Sequence, residues 1–161
     1  MGNVRDYHLF FPQFAHRMRS MALGESIDLR GTEFVVVEAV IRDLITTQWG
    51  FDTRSAALFP GDGFAYAHVH SPDQCGKLAE EVPQLDIADM TSLFADNSLN
   101  WASYTDSEPY VQRLQQQIDD LGVRVIGPTH GLPICEPAII VPQVLQGIRS
   151  AGLQLGGHVA Q

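Results

Sequence analysis

The chain has 161 residues, of which 45% are hydrophobic and 18% charged, with a formal net charge of −9; it is one domain by size, or part of a somewhat larger one. The acidic balance argues against nucleic acid and against membrane as partners, since both reward clustered Lys and Arg. No stretch approaches the roughly 20 apolar residues of a membrane span and MGNVRDYHLFF does not read as a secretion signal, while Cys75 and Cys135 lack CxxC spacing, so a soluble, cytoplasmic setting is expected.

In chain order, Tyr7 to Phe11 is a short apolar-aromatic run that suits an edge strand. Pro12 then fits the first turn of a helix with Phe14, Met18, Met21 and Ala22 on one face and Gly24 as its stop. From Glu25 the grain changes to strands. Ile27 and Leu29 alternate with polar residues, Arg30-Gly31-Thr32 turns, and Phe34 to Ile41 is a nearly continuous apolar run, which predicts a hairpin with a buried second strand. A second hairpin pairs Gln48–Phe51 with Ala56–Phe59 across Asp52-Thr53-Arg54-Ser55 and stops at Pro60-Gly61-Asp62-Gly63.

Helices come next. Ser71-Pro72-Asp73 is a good helix start, and Asp86 to Tyr104 is read as a helix burying Met90, Leu93, Phe94 and Trp101. Ser107-Glu108-Pro109 opens another, with Val111, Leu114, Ile118 and Leu121 on one face and Gly122 after its end. Val123–Ile126 is a short buried strand ended by Gly127-Pro128, and a last helix falls between Glu136 and Ala151. Hairpin, hairpin, helices, strand, helix suits a sheet with helices on one face and little left to cover the other.

Three buried strands run into residues able to bind a metal: Asp43 after the first, Asp62 after the second and His130 after the third. Strand ends of such a sheet converge on a rim, where ligand sites gather. A divalent ion takes carboxylate and imidazole at roughly 2.0–2.2 Å, and a carboxylate can bridge two ions about 3.5–4 Å apart. Each residue has a plainer reading. Asp62 in Pro-Gly-Asp-Gly is a favoured turn residue, Asp43 can pair with Arg42, and a lone loop histidine is commonly just that. His68 and His70 form an HxH but run into Ser71-Pro72-Asp73 and flank the helix cap. His8 and His16 are read as surface or packing residues, His158 as part of a frayed tail, and Cys135 as core packing.

Two segments, Leu58-Phe59-Pro60-Gly61-Asp62-Gly63-Phe64 and Pro128-Thr129-His130-Gly131, resemble the metallo-β-lactamase superfamily and most of all its flavodiiron, or oxygen-binding diiron, branch. The likeness covers most of residues 25 to 135. It implies an α/β fold, part of an αββα sandwich whose mostly antiparallel or mixed sheet is covered by helices. It also implies that Asp62 bridges two metals and His130 is a terminal ligand of one. Where that branch usually has a histidine, this chain has Arg42-Asp43, so Asp43 substitutes there or the position is empty. The superfamily's HxHxDH loop, or HxExDH in the diiron branch, appears nowhere in the sequence. The expectation is therefore that residues 1–161 form a single, incomplete domain that starts midway through the superfamily's domain.

A complete site would hold two divalent metals, iron or zinc. There is no flavodoxin-like segment after His130, so no flavin domain is expected in this chain. Three functions follow: reduction of oxygen or nitric oxide at two irons, hydrolysis of an ester or thioester by metal-bound hydroxide, or a non-catalytic half-domain. Two ligands and a third in question do not fill two metal positions, so the isolated chain is expected to be inactive. The expected partners are a second copy in a homodimer or a chain supplying the missing half-domain.

Overall fold

The computed structural model describes residues 7–68, 72 and 75–153. Five strands form one sheet in the order β1 (Ser26–Asp28), β2 (Glu33–Val37), β3 (Trp49–Asp52), β4 (Ala57–Phe59) and β5 (Val125–Ile126). The first three pairings are antiparallel and the last, β4 with β5, is parallel. The helices are α1 (Tyr7–Phe10), α2 (Ile87–Ser98), α3 (Glu108–Leu121) and α4 (Pro137–Leu153).

The first hairpin closes through Arg30 and Gly31, both at positive φ, with the Leu29 amide donating to Thr32 O and the Gly31 amide to the Asp28 carboxylate. The apolar run after Phe34 predicted a longer strand than the one that forms. Pairing stops at Val37 because α3 claims the next residue: Gln117 Nε2 donates to Glu38 O at 2.9 Å, and Arg113 pairs with the Glu38 carboxylate at 3.0 Å. Ala39, Val40 and Ile41 stay buried as irregular chain.

Register sorts the sheet into two faces. Val35, Val37, Trp49, Phe51, Leu58 and Ile126 point to one side, where Val111, Leu114 and Ile118 of α3 and Ile140, Val144 and Ile148 of α4 join them in a single cluster. Burying each such side chain stabilises the fold by about 1.5–3 kcal/mol. On the other face the Phe34 ring lies over Gly50, where a Cβ would stand 2.0 Å from Phe34 Cζ, and its neighbour Phe59 is 45% exposed. Helical cover lies on one side, as the sequence predicted; on the other Phe59 is exposed while Val36 is 1% exposed, so that face is partly covered.

Helices α2 and α4 meet closely at Gly147, where a Cβ would fall 2.4 Å from Ala88 O and 2.5 Å from Thr91 Cβ. That contact turns the small residues Thr91, Ser92 and Ala95 inward and leaves Leu93 50% exposed, against the expected burial of Leu93. The chain after α2 tightens into a 3-10 turn over Asn100–Tyr104 instead of continuing the helix. Helix α3 follows its predicted pattern and ends on Gly122 in the left-handed region at φ 59°, where glycine carries no Cβ penalty.

Three expectations for the N-terminal stretch need correction. Tyr7–Phe10 is one helical turn, closed by the Phe11 amide on Tyr7 O, and not a strand, since no neighbouring strand satisfies its backbone. Pro12–Arg17 is a short 3-10 helix with no buried residue, so Phe14, Met18, Met21 and Ala22 share no helical face. Gly24 does not stop a helix; its amide donates to Val36 O and extends the β1–β2 pairing. The predicted helix start at Ser71-Pro72-Asp73, the second histidine of the HxH and the tail with His158 lie outside the described residues, Pro72 excepted. No helix among the described residues is long and apolar enough to cross a membrane.

Candidate metal centre

Parallel pairing of β4 and β5 brings the C-terminal ends of both strands to one rim. Beyond β4 the chain enters a 3-10 turn, Gly61–Phe64, which carries Asp62; beyond β5 it enters the loop that carries His130. The two exits are tied together by backbone bonds from Gly127 N to Leu58 O at 2.9 Å and from Thr129 N to Gly61 O at 3.2 Å. Gly61 adopts φ 56°, which starts the turn at no steric cost. Gly63 is pressed so closely on the end of the β2 segment that a Cβ would lie 2.1 Å from Ile41 O and 2.4 Å from Trp49 Cζ2.

Asp62 and His130 face each other, with Nε2 3.7 Å from Oδ1. The Asp62 side chain is 25% exposed, yet its Oδ1 is buried and has no hydrogen-bond partner. The plain turn reading of Asp62, in which the carboxylate bonds its own backbone, is therefore not what Oδ1 does. The more exposed His130 ring packs against Phe94 with centroids 5.4 Å apart. A buried carboxylate oxygen without a donor is unfavourable unless something positive meets it.

Asp43 is not drawn into this pair. It is exposed and accepts a 2.8 Å hydrogen bond from Thr47 Oγ1; among the described residues it makes no ion pair with Arg42, so the plainer reading of it as the partner of Arg42 is not what forms. Among the described residues no group of three or more His, Cys, Asp or Glu side chains is arranged to hold a metal ion. His68 lies near the Tyr66 ring at 6.2 Å, and His8 and His16 are exposed. Cys135 is also exposed, contrary to the core position expected of it. Its neighbour Ile134 takes the buried site by bridging to Ile126, and the alternation turns Cys135 outward with its amide on Glu80 Oε1 at 3.0 Å.

Tyr66 was not among the residues singled out from sequence. It is fully buried, its hydroxyl donates to Leu132 O at 2.9 Å and accepts from Leu132 N at 2.8 Å, and its own amide donates to His130 O at 3.4 Å. Burial pushes its phenol up to about 12, against the lowering effect of the bond to Leu132 O. The signal was in the sequence: an aromatic with a polar tip beside a Gly-rich turn, and a Gly131 whose φ of 109° lets the loop lie against that ring.

No family model matches the chain, and no curated protein matches it in sequence. Solved structures do match. A flavoprotein from Thermotoga maritima superimposes with a TM-score of 0.63 at 14% identity, over 88% of this chain and 34% of its own. The flavodiiron protein from Giardia intestinalis gives 0.62 at 11% identity, over 92% of this chain and 33% of its own. Rubredoxin oxygen:oxidoreductase from Desulfovibrio gigas gives 0.56 at 16% identity, over 90% of this chain and 36% of its own. The chain thus spans about a third of the length of each. It has the flavodiiron-like fold, a mixed α/β arrangement of a five-stranded sheet flanked by helices.

Proposed function

We propose that this chain is a metal-binding portion of a flavodiiron-like domain, contributing Asp62 and His130 to a two-iron centre that reduces oxygen or nitric oxide when its remaining ligands are present. The supporting observation is the pairing of a buried, unpartnered Asp62 Oδ1 with an imidazole nitrogen 3.7 Å away. Two ligands held about 2.1 Å from one tetrahedral ion stand about 3.4 Å apart, so little movement separates the observed pair from that spacing. Carboxylate oxygen and imidazole nitrogen are also the donor types that iron and zinc both accept. The flavodiiron protein among the fold neighbours favours iron.

The donor set fits in kind and is short in number. In this reading the missing ligands come from residues outside those described or from a second chain bearing a histidine-rich loop, and the flavin that feeds electrons to the centre likewise comes from elsewhere. Bound iron supplies the redox chemistry. This chain's residues do the rest: Asp62 holds negative charge at the rim of the sheet, His130 offers its Nε2 opposite it, and the Phe94 ring packs beside the imidazole at 5.4 Å between centroids.

Anaerobic titration with Fe(II), and with Co(II) as a coloured stand-in, tests this on the chain and on Asp62→Asn and His130→Ala. Each substitution is expected to weaken binding by at least about tenfold. Asp62→Asn should at the same time leave the metal-free protein as stable as the parent, or more so by about 1 kcal/mol, because it removes a poorly satisfied buried charge. Equal metal affinity in the parent and both variants would eliminate the proposal.

A further inference from the structure

We infer that Tyr66 is a positioning residue for the candidate centre: its phenol clamps Leu132 and thereby holds the His130 imidazole opposite Asp62. The consequence for metal affinity rests on the reading just given, whereas the clamp itself does not.

The His130 loop leaves β5 at Gly127 and returns at Ile134, where reciprocal bonds between Ile126 and Ile134 at 2.9 and 3.0 Å close its base. Between those ends the loop needs internal supports. Tyr66 supplies three: its hydroxyl takes both backbone groups of Leu132, its amide meets His130 O, and its ring is the floor beneath Gly131. A Cβ on Gly131 would lie 2.6 Å from Tyr66 Cε1, so loop and ring fit only because position 131 is glycine. Leu132 is only 5% exposed, so its N–H and C=O have little water to fall back on if the phenol is removed.

The segment from Gly61 to Tyr66 therefore carries both halves of the geometry. Asp62 stands near its start, and the support for the opposing imidazole stands at its end. Phe64, 1% exposed, and Gly63, wedged on Ile41 O, fix the segment between them. A ligand pair measured off one short buried segment keeps its spacing even though the two ligands are far apart in sequence. Groups that hydrogen-bond behind metal ligands and so orient them act in this way.

The test uses the full chain. Tyr66→Phe keeps the ring under Gly131 and removes both bonds to Leu132. In the metal-free protein the ring current of Phe94, 5.4 Å away, is expected to displace the His130 ring resonance, and Phe94→Leu is expected to give the undisplaced position. Tyr66→Phe is expected to move His130 to that position and to weaken Co(II) binding about tenfold. Ile148→Val, a core variant outside both the His130 loop and the Gly61–Tyr66 segment, should lower stability and shift neither readout. An unmoved His130 resonance in folded Tyr66→Phe overturns the inference. If the resonance moves while Co(II) affinity is indifferent both to Tyr66→Phe and to Asp62→Asn, the clamp stands and the metal reading falls. Should Tyr66→Phe not fold, amide exchange in the native chain decides. A Leu132 N–H as slow as the core strands supports the clamp, and one as fast as that of Ile45, 86% exposed, overturns it.

Discussion

Gly63→Ala probes the placement of the Asp62 turn more severely than its single added methyl suggests. Gly63 is not in the left-handed region, so the substitution carries no backbone strain of its own. The cost is steric: the new Cβ would stand 2.1 Å from Ile41 O, 2.4 Å from Trp49 Cζ2 and 3.0 Å from Ile41 C, where real Cβ atoms essentially never come under 3.0 Å. Neither main obstacle yields easily, since one is backbone and the other is an indole 1% exposed in the core. The turn must lift by roughly an ångström to clear these contacts, which puts the cost at the upper end of the usual overpacking range, about 3 kcal/mol. For a chain of this size that lowers the melting temperature by about 10 °C. Thermal unfolding followed by circular dichroism reads it directly. Gly122→Ala is the comparison: it has φ 59° and nothing within 4 Å, so it should cost only about 1 kcal/mol from conformation alone. Gly63→Ala melting with the parent, or losing no more than Gly122→Ala, would refute the claim that the Asp62 turn is wedged on the end of the β2 segment.

Further predictions concern burial and pH. Leu58→Ala removes a side chain with no exposure from the centre of the sheet and should cost about 3 kcal/mol in urea unfolding; a loss below 1 kcal/mol, to order of magnitude, would contradict the assigned core face. Tyr66 has a folded pKa raised from 10.0 to about 12, so its contribution is complete below the unfolded value and is lost as pH rises through that window, on the order of 2 kcal/mol. Tyr66→Phe should flatten this alkaline decline, and an unchanged slope would show that the phenol is not buried. Glu108 is held below its ordinary 4.5 first by the hydrogen bond from Arg149 and next by that from Gln112. Its stabilising effect is therefore present above about 4.5 and lost as pH falls through the lowered folded value, and Arg149→Met should remove most of that acid dependence.

Much of this fold is legible where local pattern and tertiary demand agree. The two hairpins carry their turn residues, and α3 carries a full apolar face ended by glycine. The misreadings have a common physical origin in contacts made between distant parts of the chain. Leu93 lost its expected burial because Gly147 draws α2 against α4 through small residues, and the strand after Phe34 was cut short because Gln117 took the Glu38 carbonyl. At the site, Asp62 and His130 could be named because each follows a buried strand into a Gly-Pro turn. Tyr66 escaped notice because its two bonds go to a backbone 66 residues away, and Asp43 takes its hydrogen bond from Thr47, four residues on, where the sequence suggested Arg42.

The parallel pairing of β4 with β5 has a temporal consequence. Both α2 and α3 intervene between those strands, so their contact is among the most non-local in the chain and closes only after a large loop has been brought together. A ribosome-bound chain that has emitted Asp62 has not yet made His130. The two side chains therefore cannot become neighbours until β5 and its loop have been made, and α4, which joins α3 in the helical layer, is made later still. A partly assembled polypeptide holds Asp62 and His130 apart, and only the finished sheet sets them face to face.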